Sequence, residues 1–149
     1  MFVLIVGCGR AGSALAKNLL GDGHTVSVLD ESADAHRLLD IGLDGSWEDA
    51  GGMFTVGTAL ETDALIEAGI EQADAFVAGT NGDNTNLVIA QVALRRFNVE
   101  NVVVRVLDPR RATWYAQQGL QTICPTQAGI DMLTAAVRGG AANDFPVEA

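Results

Sequence analysis

Bases are scarce in this chain. Nine Lys and Arg stand against 19 Asp and Glu for a net charge of −10, and no base occurs between Arg37 and Arg95. Nucleic acid and anionic membrane faces require the opposite sign, so sequence-independent binding to either is disfavoured. The acidic middle reads as a solvated surface, with a cation site or a basic partner as the alternative. Cysteine is equally sparse: Cys8 and Cys124 are far apart and form no C-x-x-C, which points to two reduced thiols of a cytosolic protein. No apolar stretch nears the ~20 residues of a membrane span. The longest, at the N-terminus, is cut by glycines and has no basic leader, so it is read as a first strand and not as a signal peptide. Aromatic residues make up only 5%, whereas hydrophobic residues reach 48%. That balance suits the Val, Ile, Leu and Ala core of a parallel sheet covered by helices on both faces. With 149 residues, one domain is expected, too short for a nucleotide domain plus a catalytic one.

What is present is concentrated in the first dozen residues. Phe2 to Val6 are five consecutive apolar residues, read as a strand buried on both faces. Gly7, Gly9 and Gly12 then fit G-x-G-x-x-G. The first glycine permits a tight turn, the second lets a pyrophosphate approach the backbone, and the third lets the following helix pack on the strand. That helix, expected from Arg10 to Leu20, opens its free N–H groups toward the phosphate beside Ala11, and Arg10 lies in the turn itself. A second strand, His24 to Leu29, ends in Asp30, 18 residues beyond Gly12. A carboxylate at about 20 residues hydrogen-bonds an adenosine ribose. Asp30, followed by Glu31, also repels a 2′-phosphate, favouring NAD, NADH or an adenine nucleotide over NADP. The bland alternative is that Asp30, Glu31 or Ser32 caps the next helix. Cys8, inside the turn, is read as a small filler, with redox sensitivity as the alternative.

Further along, a helix is expected from about Ser32 to Ile41, followed by a surface loop, Gly42 to Gly52, held down by Trp47. Met53 to Val56 reads as the third strand and Gly57, Thr58 and Ala59 as its turn. Thr58 or Thr62 is a candidate cap for the next helix, Thr58 and Glu61 a candidate capping box, and Gly69 its C-terminal stop. The fourth strand, Asp74 to Ala78, leads into Gly79, Thr80, Asn81 and Gly82, a loop that a doubly wound sheet places beside the first glycine turn. Thr80 and Asn81 there suit ribose or phosphate. Asp83 opens the next helix as a cap or, alternatively, a ligand contact. Within the fifth strand, Val102 to Leu107, Arg105 either points out at the sheet end or aims at an anion in the crevice. Asp108 and Pro109 start another helix, Gln121 to Cys124 a sixth strand, and Pro125 a last helix whose stripe of Ile130, Leu133 and Val137 must cover the sheet edge or meet another subunit. The whole reads as one three-layer α/β domain over 1–138, Rossmann-like, with six parallel strands ordered 3-2-1-4-5-6, and a frayed tail over 139–149.

GCGRAG with Arg10, then Asp30, AGTNGDNTNLVIA (Ala78 to Ala90) and VVVRVLDP (Val102 to Pro109) together resemble the nucleotide-binding N-terminal domain of the regulators of potassium conductance, as in Trk and Ktr regulatory subunits. The resemblance runs over about Met1 to Val137. It implies a module that senses NAD, NADH, ADP, ATP or AMP, forms a homodimer or larger ring, and acts from the cytoplasmic side on a membrane potassium transporter or channel. By position it implies phosphate contacts from Gly7, Gly9, Arg10 and Gly12, ribose contacts from Asp30, and crevice positions for Thr80 and Arg105. The sequence departs from the family in carrying Gly57, Thr58 and Ala59 where Gly-Asp-Ala is common, in its longer Gly42 to Gly52 loop, and in stopping before the small C-terminal ligand domain, as either a fragment or a short form would. A different class, the cofactor half of an NAD-dependent oxidoreductase, needs a proton-transfer group beside the nicotinamide. Only His24 and His36 are available, both expected to be solvated and neither expected near that position.

Overall fold

A computed structural model describes residues 1–140; the tail expected from Gly139 falls, from residue 141 on, outside the described residues. Strands β1 (Phe2–Val6), β2 (Thr25–Asp30), β3 (Met53–Val56), β4 (Ala75–Ala78), β5 (Asn101–Arg105) and β6 (Gln121–Ile123) form one sheet in the order β3-β2-β1-β4-β5-β6. Every pairing is parallel. The connections carry helices α1 (Arg10–Gly21), α2 (Arg37–Asp40), α3 (Thr62–Glu67), α4 (Asp83–Arg95) and α5 (Pro109–Gln117), and α6 (Pro125–Val137) follows β6.

Side-chain alternation along β1 splits the core in two. Leu4 and Val6 join Phe76 of β4, Val104 of β5 and residues of α3, α4 and α5, while Val3 and Ile5 join Val26, Val28, Ala16 of α1, Leu39 of α2 and Trp47. Both faces of the central strand are therefore covered, as its unbroken apolar run requires. Chain order reverses between β1 and β4, so their carboxyl ends part and open a crevice.

Several local expectations fail for tertiary reasons. The helix expected from Ser32 to Ile41 splits into a 3-10 turn, Ala33–His36, and the four-residue α2. Its last carbonyls are satisfied across the molecule, where Lys17 Nζ of α1 donates to Leu38 O and Ile41 O at 2.9 Å each. Neither Thr58 nor Thr62 caps α3: the N-cap is Glu61, without a side-chain bond, and Thr58 Oγ1 accepts from Leu60 N at 3.3 Å. The capping box does not form. Gly69 does stop the helix region, with φ +99°. Asp108 caps α5 as expected, its Oδ1 accepting from Arg110 N at 3.0 Å ahead of Pro109. Helix α6 does not cover the sheet edge, because Leu133 and Val137 are 68% and 87% exposed.

Candidate functional site

Three strand-end turns meet at the switch point. Gly7 N donates to Leu29 O, Gly79 N to Val6 O and Gly57 N to Asp30 O, all at 2.9 Å, so the loops after β1, β3 and β4 are tied to neighbouring strand ends. Between them lies a crevice of about 680 Å³, within the range typical of small-molecule sites.

The three motif glycines have three different environments. A Cβ on Gly7, which has φ +103°, would fall 2.6 Å from Gly79 O, and one on Gly12 would fall 1.9 Å from Gly7 O. At Gly9 a Cβ would meet nothing within 4 Å. Gly7 and Gly12 thus serve the turn and the seating of α1 on β1, whereas the space beside Gly9 is open. Helix α1 begins at Arg10, and its first long-range turn is closed by Ser13 N donating to Gly9 O at 2.9 Å. Arg10, Ala11 and Gly12, whose amides precede that bond, line the crevice at the positive end of the helix. Arg10 is exposed on the same rim.

Asp30 closes the opposite end. Its Oδ2 accepts from Cys8 N at 2.7 Å and its Oδ1 from Ser32 N at 2.8 Å. These bonds fix the carboxylate beside Glu31 at the crevice wall and leave further acceptor capacity on each oxygen. Asp30 thus lines the crevice and supports the turn that follows, but it does not cap the next element, whose N-cap is Ser32 without a side-chain bond. Cys8 is buried, and its thiol donates to Ala35 O at 3.3 Å. Burial pushes the thiol up to about 11; the Asp30 charge adds to the rise and Lys17 opposes it. A thiol so held is a filler and not a nucleophile at neutral pH.

From the far side come Gly79, Thr80, Asn81 and Arg105, and from β3 the turn Gly57, Thr58 and Ala59. Arg105 reaches the crevice, with Nη2 donating to Thr80 O at 2.8 Å and to Asn81 Oδ1 at 3.0 Å. Asp83 does not line it. The α4 N-cap is Gly82, and both Asp83 oxygens accept from the loop after β5, from Leu107 N at 2.8 Å and Asp108 N at 3.0 Å. The cap reading of Asp83 is thereby corrected: it clamps one loop to another. Two contributors escaped the sequence reading. Thr85 lines the crevice from the first turn of α4. Asn86, fully buried, accepts from Thr80 N at 2.9 Å and Thr80 Oγ1 at 2.6 Å and donates to Thr80 O and Arg105 O at 2.9 Å each. Polar residues at 83 to 86 look alike in sequence; only the buried face of α4 singles out Asn86.

Neither histidine lines the crevice. His24 Nδ1 is 3.2 Å from the N-terminal amine. His36 is not simply solvated: it lies between Asp40 and Glu48, with its ring edge against Phe54.

The glycine turn, free helix amides and strand-end acid around a switch-point crevice define a Rossmann-type nucleotide-binding domain. Residues 3–125 match the TrkA-N domain, and the chain belongs to that family. It is 42% identical over 133 residues to the Trk system potassium uptake protein TrkA of Streptomyces coelicolor, covering 89% of this chain and 56% of that protein. The chain thus spans about half the length of that relative, and only 22% of the Vibrio alginolyticus protein of the same name, to which it is 38% identical over 73% of this chain. In fold it is similar to the Shewanella denitrificans Kef C-terminal domain in AMP-bound form (TM-score 0.73, 22% identity, covering 96% of this chain and 85% of that one). It is similar also to the GsuK channel bound to NAD (TM-score 0.72, 19% identity, covering 92% and 23%).

Proposed function

We propose that the domain is a nucleotide sensor of a potassium-uptake system. It takes NAD, NADH or an adenine nucleotide (ADP, ATP or AMP) into the crevice and passes the bound state on as a change in subunit packing. The observation that carries this reading is the pairing, across one crevice, of the Arg10 to Gly12 amides with the Asp30 carboxylate. The first set suits a diphosphate, the second a ribose diol. Gly9 provides the cradle such a phosphate needs, since a side chain there would fill it. Bound nucleotide would bring adenosine to Asp30 and Glu31 and its phosphates to Arg10. Arg10 distinguishes di- from triphosphate by charge, and Thr80 and Arg105 contact the ligand from the β4 side.

The residues favour sensing over turnover. A dehydrogenase needs a proton donor beside the nicotinamide, and His24 and His36 are both held elsewhere. The homology supports a cytoplasmic subunit that acts on a membrane potassium transporter or channel. Among the described residues no helix is long and apolar enough to cross a membrane, so contact with the membrane would run through that partner. The exposed α6 stripe of Ile130, Leu133 and Val137 offers the surface for a homodimer or larger ring.

Calorimetric titration tests the assignment. NADH and ADP should bind, NADPH more weakly, and Arg10→Ala should weaken the phosphate-bearing ligands about tenfold or more, the loss of one charge-assisted contact. Absence of binding at millimolar ligand, or steady NADH oxidation with a carbonyl substrate, would overturn it.

A further inference from the structure

The long loop after α2 brings together three groups that the crevice does not use. His36 closes the 3-10 turn after β2, Asp40 is the last residue of α2 one helical turn on, and Glu48 comes from the Gly42 to Gly52 loop. Asp40 Oδ2 lies 3.4 Å from His36 Nδ1 and Glu48 Oε1 2.5 Å from His36 Nε2. One donor atom from each residue falls within 4.8 Å of the other two. None of the three lines the crevice.

We propose that His36, Asp40 and Glu48 form a site for one divalent transition-metal ion of the zinc, cobalt or nickel class, distinct from the nucleotide crevice. The chemistry of the donors selects the ion. An imidazole with two carboxylates is a borderline N/O set of charge −2 that neutralises a divalent cation, with water completing the shell. Magnesium and calcium require mostly oxygen ligands in larger number and are disfavoured. Donors about 2.1 Å from a tetrahedral ion stand about 3.4 Å apart; Asp40 lies at that separation from His36 Nδ1, whereas Glu48 faces the other ring nitrogen, Nε2. An imidazole gives one nitrogen to one ion, so the half-exposed Glu48 side chain has to leave Nε2 and swing toward Nδ1 by a rotamer change for all three residues, whose donor atoms already lie within 4.8 Å of one another, to meet on it.

The surroundings are fixed. Asp40 Oδ1 accepts from Trp47 N at 2.8 Å, so its other oxygen is held toward the histidine. Trp47 is fully buried, with Nε1 donating to Met53 O at 3.0 Å, and a Cβ on Gly52 would fall 2.0 Å from the indole. The loop is therefore anchored by its tryptophan and presents Glu48 to His36. Bound metal would join the 3-10 turn, α2 and the loop.

Equilibrium dialysis of the full chain without nucleotide tests this. About one zinc ion per chain should bind, with magnesium in excess failing to displace it, and NMR should show zinc shifting the ring signals of His36 but not of His24. Glu48→Gln and His36→Gln should each weaken binding about tenfold or more. Asp63→Asn with Glu67→Gln removes an exposed acid pair at the same i, i+4 spacing but without a histidine, and should leave zinc binding unchanged, as should Cys124→Ser. Glu48 is exposed, so its variant keeps the test valid if His36→Gln destabilises the fold. Lack of stoichiometric zinc, or unchanged affinity in Glu48→Gln, would reduce the cluster to a pair of ion pairs and overturn the proposal.

Discussion

Asp30 supports the fold from the wall of the proposed nucleotide site. Its two oxygens already receive Cys8 N and Ser32 N, so removing the carboxylate strands two amides as well as removing the acceptor proposed for a ribose. Asp30→Ala should lower stability by about 1–2 kcal/mol and weaken NADH at least tenfold, read by chemical denaturation and calorimetry. Asp30→Asn keeps one carbonyl acceptor, and its neutral amide should narrow the preference for NADH over NADPH. Cys8 gives a pH prediction. Its folded value is raised to about 11 from an ordinary 9.0, so the unfolded chain releases this proton first. Between about pH 9 and about 11 the unfolded state binds fewer protons, and the Cys8 contribution to stability falls as pH rises. Urea midpoints across that range should decline more steeply in the native protein than in Cys8→Ala. Equal slopes would refute the assignment.

At the scale of elements, the glycine turn separates folding from binding. Gly12→Ala drives a methyl group into Gly7 O and forces α1 away from β1, which should cost about 3 kcal/mol and lower the melting temperature before any ligand is considered. Gly9→Ala meets nothing within 4 Å; it should fold normally and lose nucleotide affinity, because its methyl group occupies the approach to the backbone. The pair of melting curves and titrations checks both. These two glycines, Asp30 and the strand order were legible because each is set locally, by spacing and by the unbroken apolar run of β1. Asp83 was not, since its partners Leu107 N and Asp108 N lie 24 and 25 residues away. Nor was the early end of α2, whose carbonyls are met by Lys17 from another helix. Asn86 belongs to the same group: its identity as a buried hub depends on which face of α4 meets the sheet. Local pattern reports what a segment prefers, and these residues are placed by what comes to meet them.

For the whole molecule, sensing requires two subunit arrangements that bind the ligand unequally, because a ligand with equal affinity for both shifts nothing. The crevice and the α6 stripe proposed for association are separate, since no residue of α6 lines the crevice, and so they can be disabled separately. Leu133 sits mid-helix and is 68% exposed in the isolated chain. Leu133→Asp should leave the monomer folded while abolishing self-association, so that sedimentation reports the 15.6 kDa chain where the native protein runs as a dimer or larger. NADH at about 100 times its Kd adds about 2.7 kcal/mol to the folded state, a rise in melting temperature of about 5–10 °C for a domain of this size. Leu133→Asp should keep that rise but lose any dependence of NADH affinity on protein concentration. A native protein that sediments as a monomer with and without NADH would remove α6 from the mechanism. The ligand's effect would then have to pass through another surface, even if the crevice binds as described.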